Sequence, residues 1–155
     1  MTTPGHAPTP TTTVIATWKG GRRYDIARPG GPATSIDGAG KAGTGPVDTL
    51  LGALAACSAI DVEDYLVKRR TPPEALTVTV TAERRAEHPR RVMSATLTFA
   101  IDGPGVDALH AARAVELSLG SYCSVSASLA ADLAITTRVV VNGVEAPAGA
   151  AASGA

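Results

Sequence analysis

The sequence has few aromatic residues and no excess of charge of either sign. Only 3% of its 155 residues are aromatic, and 14 lysines and arginines balance 14 aspartates and glutamates. Nucleic-acid-binding proteins usually present a basic surface, and those that bind single strands add aromatic side chains on which bases stack. Because both features are missing, we expect no nucleic-acid partner.

The sequence also lacks a long apolar run. No stretch of 18 residues is both apolar and free of charge, and the first residues, MTTPGHAPTPTTT, contain no basic region followed by an apolar one. We therefore expect no membrane partner and a cytoplasmic location. In that reducing compartment, two cysteines are more often catalytic or redox-active than joined in a structural disulfide.

Sequence patterns for metals and nucleotides are missing as well. His6, His88 and His110 are scattered, and the two cysteines lie 66 positions apart. The glycine-rich segment GAGKAGTG lacks the spacing of a phosphate-binding loop. We therefore expect no metal site and no cofactor.

The length fits one domain, large enough to bury a core without disulfides or metals. Residues 1–11 are rich in proline and threonine, and residues 145–155 end in APAGAAASGA. Such segments cannot build a core, so we predict two disordered tails. Residues 12–144 are predicted to form the single domain between them.

The longest apolar segment follows a clear helix start. It lies in Gly45–Arg70, GPVDTLLGALAACSAIDVEDYLVKRR, where Pro46 suits the first helical position and Asp48 falls in the first turn. From Leu50 to Ile60 only Ser58 is polar, so we predict that this part of the helix is buried on all sides. Spaced charges then continue to the end of a helix of about 22–24 residues.

Strand patterns occur on both sides of this helix. A glycine turn between β-branched segments predicts a hairpin, with a third strand after it, and alternation of apolar with serine and threonine predicts an antiparallel pair later. The predicted strands are Thr12–Trp18, Arg23–Ala27, Ala33–Ile36, 76–80, 94–101 and Ile135–Val141, with further helices over 106–119 and Ser124–Asp132. The order βββα-ββααβ indicates an α+β fold.

Both cysteines fall in helical patterns. Cys57 lies inside the long helix, where a lone cysteine is usually a small core residue. Cys123 opens the segment CSVSASLAADL, and we expect it at a helix N-terminus, where backbone N–H groups lower the pKa of a thiol. The two cysteines are therefore a candidate redox pair, with a core role as the alternative.

These two segments resemble the motifs of the OsmC/Ohr family. The long helix is similar to GPSPMELLLAALGGCTAIDV, and SYCSVSASL is similar to YCPVSNTL, although Ser124 and Ala127 stand where that motif has proline and asparagine. The element order fits from Thr12 to Val141. The resemblance implies two antiparallel-rich sheets around a long central helix, and an intertwined homodimer with two active sites at the subunit interface.

The resemblance also implies thiol-dependent reduction of peroxides, organic ones preferred. It assigns Cys57 as the attacking thiol and Cys123 as the resolving thiol that captures the sulfenic acid. We therefore predict a homodimeric peroxidase that takes an organic hydroperoxide and an unidentified thiol reductant. The alternatives are an OsmC-like redox sensor, or a protein that reacts with another electrophile, and a non-catalytic ligand-binding dimer.

Three charged positions complete the predicted site. A reactive thiolate needs a positive neighbour, and Arg22 or Arg23 in the GGRRY turn is the best placed; we take Arg23, with an exposed hairpin arginine as the alternative. Asp48 is the nearest match to a glutamate of the family helix, but it also reads as a helix-start carboxylate. Asp61 lies four residues after Cys57 on the same helix face, where we expect it to hydrogen-bond a partner, to raise the pKa of the thiol, or to cap a neighbouring backbone.

Overall fold

A computed structural model describes residues 9–147 of the chain. They form two compact units, of which the N-terminal unit ends at Thr49 and the C-terminal unit begins at Leu50. Each unit has a β-sheet whose strands pair with one another, and the single domain predicted over residues 12–144 stays a prediction. The predicted tails fall mostly outside the described residues.

The N-terminal unit is a three-stranded antiparallel sheet. Its strands are β1 (Ile15–Trp18), β2 (Arg23–Ala27) and β3 (Thr34–Asp37), in the order β1-β2-β3. Gly20 and Gly21 join the first two with φ angles of 99° and 58°, which favour glycine because a side chain is strained there. The predicted hairpin and third strand are confirmed, although β1 begins three residues later than predicted.

The C-terminal unit contains a four-stranded mixed sheet. Its strands are β4 (Ala75–Arg84), β5 (Val92–Asp102), β6 (Ala134–Val141) and β7 (Val144–Glu145), in the order β4-β5-β6-β7. The predicted antiparallel pairing of β4 with β5 is confirmed, and β6 lies parallel to β5. Helices connect β5 to β6, as a parallel connection requires.

Strand β7 corrects the predicted start of the C-terminal tail at residue 145. Glu145 pairs with Val140 in the sheet, and its carboxylate accepts two hydrogen bonds of 2.9 Å from Arg138. Ala146 is buried, and its N–H donates to the carbonyl oxygen of Val139. Regular structure therefore extends past residue 144, because the turn at Asn142-Gly143 returns the chain to the sheet edge.

Three α-helices accompany the sheets. They are α1 (Pro46–Lys68), α2 (Ala108–Leu117) and α3 (Ser124–Ala127), with a π-helical turn at Ser118–Tyr122 between the last two. The 23 residues of α1 agree with the predicted length. Helix α3 ends at Ala127 rather than at the predicted Asp132, because the chain turns at Ser128–Leu133. The α+β fold and the predicted order of elements are confirmed, with β7 added.

The apolar core lies in the C-terminal unit. Leu54, Val62 and Leu66 of α1, which are spaced by eight and four positions, face it, and β5 adds Phe99 on its inward-facing side. The prediction that α1 is buried on all sides between Leu50 and Ile60 is wrong, since those two side chains are 44% and 59% exposed. Within a single chain, only one face of this helix is covered.

Within residues 9–147, no helix combines the length and the apolar character that crossing a membrane requires.

Candidate functional site

Cys57 lies in the middle of α1 and is half-buried against the core. Its neighbour Ser58 is fully buried, and its hydroxyl donates to the carbonyl oxygen of Leu54 at 2.9 Å. The polar group of Ser58 is therefore satisfied within the helix itself. Cys57 itself remains partly exposed.

Cys123 lies where the π-helical turn meets α3, and it is 3% exposed. Its N–H donates to the carbonyl oxygen of Ser118 at 2.8 Å, which closes the turn. Its sulfur then caps α3 by accepting a hydrogen bond from the N–H of Ser126, with 3.4 Å between Sγ and N. The first bond holds the backbone of Cys123, and the second orients its sulfur.

The fold brings Cys57, Asp61 and Cys123 together. The two sulfur atoms and a carboxylate oxygen of Asp61 all lie within 4.8 Å of one another. Asp61 faces the same way as Cys57 because four residues make about one helical turn. We call this group the Cys57–Asp61–Cys123 cluster, and we refer to it by that name below.

The carboxylate of Asp61 is held in place by a buried hydroxyl. Ser118, which is fully buried in the π-helical turn, donates to Oδ2 of Asp61 at 2.8 Å. A charge-assisted hydrogen bond of this kind is stronger than a neutral one. The turn that precedes Cys123 therefore also anchors the carboxylate beside Cys57.

The pKa of Cys123 moves in the direction opposite to our expectation. Burial raises the pKa of its thiol above the ordinary value, the nearby Cys57 raises it further, and the N–H groups of Ser126 and Val125 oppose both effects. The lowered pKa predicted from the helix N-terminus is therefore wrong. Helix α3 has only four residues, so its dipole is too small to offset the loss of water around the sulfur.

Asp48 and Arg23, the charged residues predicted for the site, belong to the N-terminal unit. The carboxylate of Asp48 accepts a hydrogen bond of 3.1 Å from the N–H of Gly45, which is one half of a capping box at the start of α1. Arg23 lies in β2, directly across from Asp37 in β3. The carboxylate of Asp48 thus has a local partner, and a catalytic role for either residue stays a prediction.

Arg23 also lines a half-open pocket of about 300 Å³ in the N-terminal unit, together with Lys19, Asp25 and Ser35. Asp37 forms part of the same wall, and its carboxylate accepts hydrogen bonds from three N–H groups of the loop that follows it, those of Ala39, Lys41 and Ala42. These bonds, with a smaller contribution from Arg23, lower the pKa of Asp37.

Two features of the cluster were missed at the sequence level. Ser118 gave no signal, because 57 positions separate it from Asp61 and only the fold brings them together. The expectation of no metal site rested on the histidines and cysteines alone, without the carboxylate of Asp61 one helical turn after Cys57. Three side chains of metal-ligand type therefore meet where none were predicted.

Comparison of the sequence with known proteins shows the family to which it is related. Residues 38–138 match the family model described as OsmC-like protein. Protein YhfA of Escherichia coli K12 is 40% identical over 91 residues, which span 59% of this chain and 68% of YhfA.

Solved structures share the fold. An OsmC-like protein from Mycoplasma pneumoniae superposes with a TM-score of 0.72 at 16% identity, covering 85% of this chain and 97% of that one. An organic hydroperoxide resistance protein OsmC from Legionella pneumophila gives a TM-score of 0.60 at 17% identity, covering 84% and 98%. Since the family model spans well over half of the sequence, this chain belongs to the OsmC-like protein family.

Proposed function

We propose that this protein is a thiol-dependent peroxidase that reduces organic hydroperoxides through Cys57 and Cys123. The observation that carries the proposal is the distance between the sulfurs, which lie within 4.8 Å of each other although 66 positions separate the residues. A small side-chain movement brings such a pair to bonding distance. The half-buried Cys57 is open to a substrate, whereas Cys123 is buried behind it.

In the first step, the sulfur of Cys57 attacks one peroxide oxygen and the O–O bond breaks. Cys57–SH and ROOH become Cys57–SOH and ROH, so the sulfur is oxidised and the peroxide is reduced. The proton of the thiol ends on the alcohol that leaves. This step needs an accessible sulfur, which matches the partial exposure of Cys57.

In the second step, the sulfur of Cys123 attacks the sulfenic sulfur of Cys57. The S–S bond forms, the S–OH bond breaks, and the hydroxide takes the proton of Cys123 and leaves as water. A thiol reductant then restores both thiols by exchange and ends as a disulfide itself.

The preference for organic peroxides rests on the surroundings of Cys57. Small apolar side chains on the same helix, Ala53 and Ala56, are exposed beside it and offer room for an apolar group. The family relationship supports the same class, since the Legionella pneumophila protein is described as an organic hydroperoxide resistance protein. Arg23 and Asp48 enter the proposal as the charged groups that assist Cys57, on the strength of the resemblance between the motifs.

The proposal includes a homodimer. The exposed apolar side chains of α1, among them Leu50, Ile60 and Val67, would be covered by a second subunit. A stable monomer at micromolar concentration, with unfolding that does not depend on protein concentration, would contradict this part.

Turnover of cumene hydroperoxide with a dithiol reductant tests the activity. Cys57→Ser should abolish turnover, and Cys123→Ser should react once and then stall with a sulfenic or sulfinic group on Cys57. Ser121→Ala, an exposed change close to Cys123, is the matched control and should turn over normally. If the wild type is oxidised stoichiometrically but never turns over with any dithiol, the protein is a redox sensor and the peroxidase proposal is wrong.

A further inference from the structure

The Cys57–Asp61–Cys123 cluster presents two sulfurs and one carboxylate oxygen within 4.8 Å of one another. Four ligand atoms around a tetrahedral zinc ion lie roughly 3.5–3.8 Å apart, given bonds of about 2.0–2.3 Å. The three atoms must therefore approach one another by about 1.3 Å at most, which is within the range of side-chain rotation. Such a cluster has the ligand number of an open zinc site, with the fourth position left for water.

From this arrangement we propose that the reduced protein binds one thiophilic divalent cation, Zn²⁺ being the physiological one, at Cys57, Asp61 and Cys123. Thiolate sulfur selects Zn²⁺ over Mg²⁺ and Ca²⁺, which prefer an all-oxygen set. The proposal needs both thiols reduced but does not need the protein to turn over peroxide.

Hydrogen bonds around the three side chains support a metal site rather than a chance approach of these side chains. Ser118, fully buried, donates to Oδ2 of Asp61 and so holds the carboxylate while its other oxygen is left for an ion. Ser126 donates its N–H to the sulfur of Cys123 and stabilises a thiolate there. Outer groups that orient the ligands in this way accompany most metal sites in proteins.

The number of protons released when the metal ion binds distinguishes this site from other metal sites. A metal ion binds cysteine as the thiolate, so each thiol that becomes a ligand gives up its proton. Binding through both sulfurs therefore releases about two protons per ion, and affinity should rise as the pH rises. A carboxylate-only surface site would release none.

A metal ion bound to both sulfurs would prevent the proposed reaction with peroxide. An ion on Cys57 and Cys123 blocks attack on a peroxide, and a Cys57–Cys123 disulfide removes both metal ligands. Metal and peroxide should therefore compete for the same pair, with Zn²⁺ acting as a reversible inhibitor that a chelator removes.

Titration of the reduced, metal-free full chain with Zn²⁺ against a chromophoric chelator tests the site. We expect one ion per chain, release of about two protons, and no binding by the disulfide form. Cys57→Ser and Cys123→Ser should weaken binding by more than about 100-fold, Asp61→Asn by roughly 10–100-fold, and Ser118→Ala by about 10-fold. Asp64→Asn, on the exposed side of α1, is the matched control and should bind normally.

Asp61→Glu keeps a carboxylate and should bind more tightly than Asp61→Asn, provided that circular dichroism shows both variants folded. Equal Zn²⁺ affinity for Asp61→Asn, Asp64→Asn and the wild type would overturn the role of the carboxylate. Unchanged affinity in Cys57→Ser, or release of no protons, would overturn the site altogether. Zinc binding without peroxide turnover would leave this inference intact and reject only the proposed function, and the reverse result would reject only the zinc site.

Discussion

The two units of the chain differ in how completely their apolar side chains are buried. In the C-terminal unit, Leu54, Leu97 and Phe99 are completely buried. In the N-terminal unit, Trp18 is 64% exposed and Tyr24 is 42% exposed. Three short strands cannot enclose a core by themselves, whereas a four-stranded sheet with helices can.

The buried polar groups separate the units in the same way. The N-terminal unit buries the carboxylate of Asp37, which organises a loop, whereas the C-terminal unit buries Ser58 and Ser118 close to the two cysteines. The C-terminal unit thus holds the Cys57–Asp61–Cys123 cluster on its own core. In the N-terminal unit, Trp18 and Tyr24 stay exposed within the single chain, and the proposed dimer would cover them.

The largest expected effect comes from the core of the C-terminal unit. Phe99→Ala should lower the free energy of unfolding by about 3–5 kcal/mol, because it leaves a cavity in β5. Trp18→Ala, the matched change in the N-terminal unit, should cost less than about 1 kcal/mol under conditions that keep the protein monomeric. Urea titration followed by circular dichroism measures both, and equal losses would show that the two units are packed alike.

A second prediction concerns the exposed face of α1. Ile60→Asp should weaken the proposed dimer by at least about 30-fold, or roughly 2 kcal/mol, because a charge would be buried at the interface. Leu109→Asp, a change at a still more exposed position on α2, is the control and should leave assembly unaltered. Sedimentation over a range of concentrations decides, and a dimer unchanged by Ile60→Asp would place the interface elsewhere.

A third prediction concerns the anchor of the cluster. Ser118→Ala should destabilise the C-terminal unit by about 1–2 kcal/mol, because the carboxylate of Asp61 loses a charge-assisted hydrogen bond. Ser121→Ala, in the same π-helical turn but exposed, should have almost no effect. Thermal unfolding compares the two, and similar melting temperatures would mean that water replaces the lost hydroxyl.

The smallest expected effect is local and lies in the N-terminal unit. The folded pKa of Asp37 is lowered, so its carboxylate stabilises the loop fully above the ordinary pKa of 3.8, and this contribution is lost as the pH falls through the folded value. NMR titration should place its midpoint below 3.8. At neutral pH, Asp37→Asn should speed amide exchange at Ala39 and Ala42, whereas Asp25→Asn should not. A midpoint at or above 3.8 would mean that the loop bonds do not hold in solution.

Local structure was largely predictable from the sequence. The proline and first-turn carboxylate predict the start of α1, the Gly20-Gly21 pair predicts the hairpin, and alternation with serine and threonine predicts β5. The two cysteine motifs predict the family as well, and the family match confirms it. These features depend on residues that are neighbours along the chain, so short-range sterics and periodicity are enough to determine them.

The tertiary structure determined the contacts between residues that are distant in the sequence, and the exposure of their side chains. The meeting of Cys57 with Cys123, the anchoring of Asp61 by Ser118 and the exposure of Ile60 all depend on which surfaces pack together. The raised pKa of Cys123 has the same origin, because burial is a property of the fold and outweighs the effect of its own short helix. Sequence determined which residue types were present and which elements carry them, whereas packing over long sequence separations determined their distances and their exposure to water.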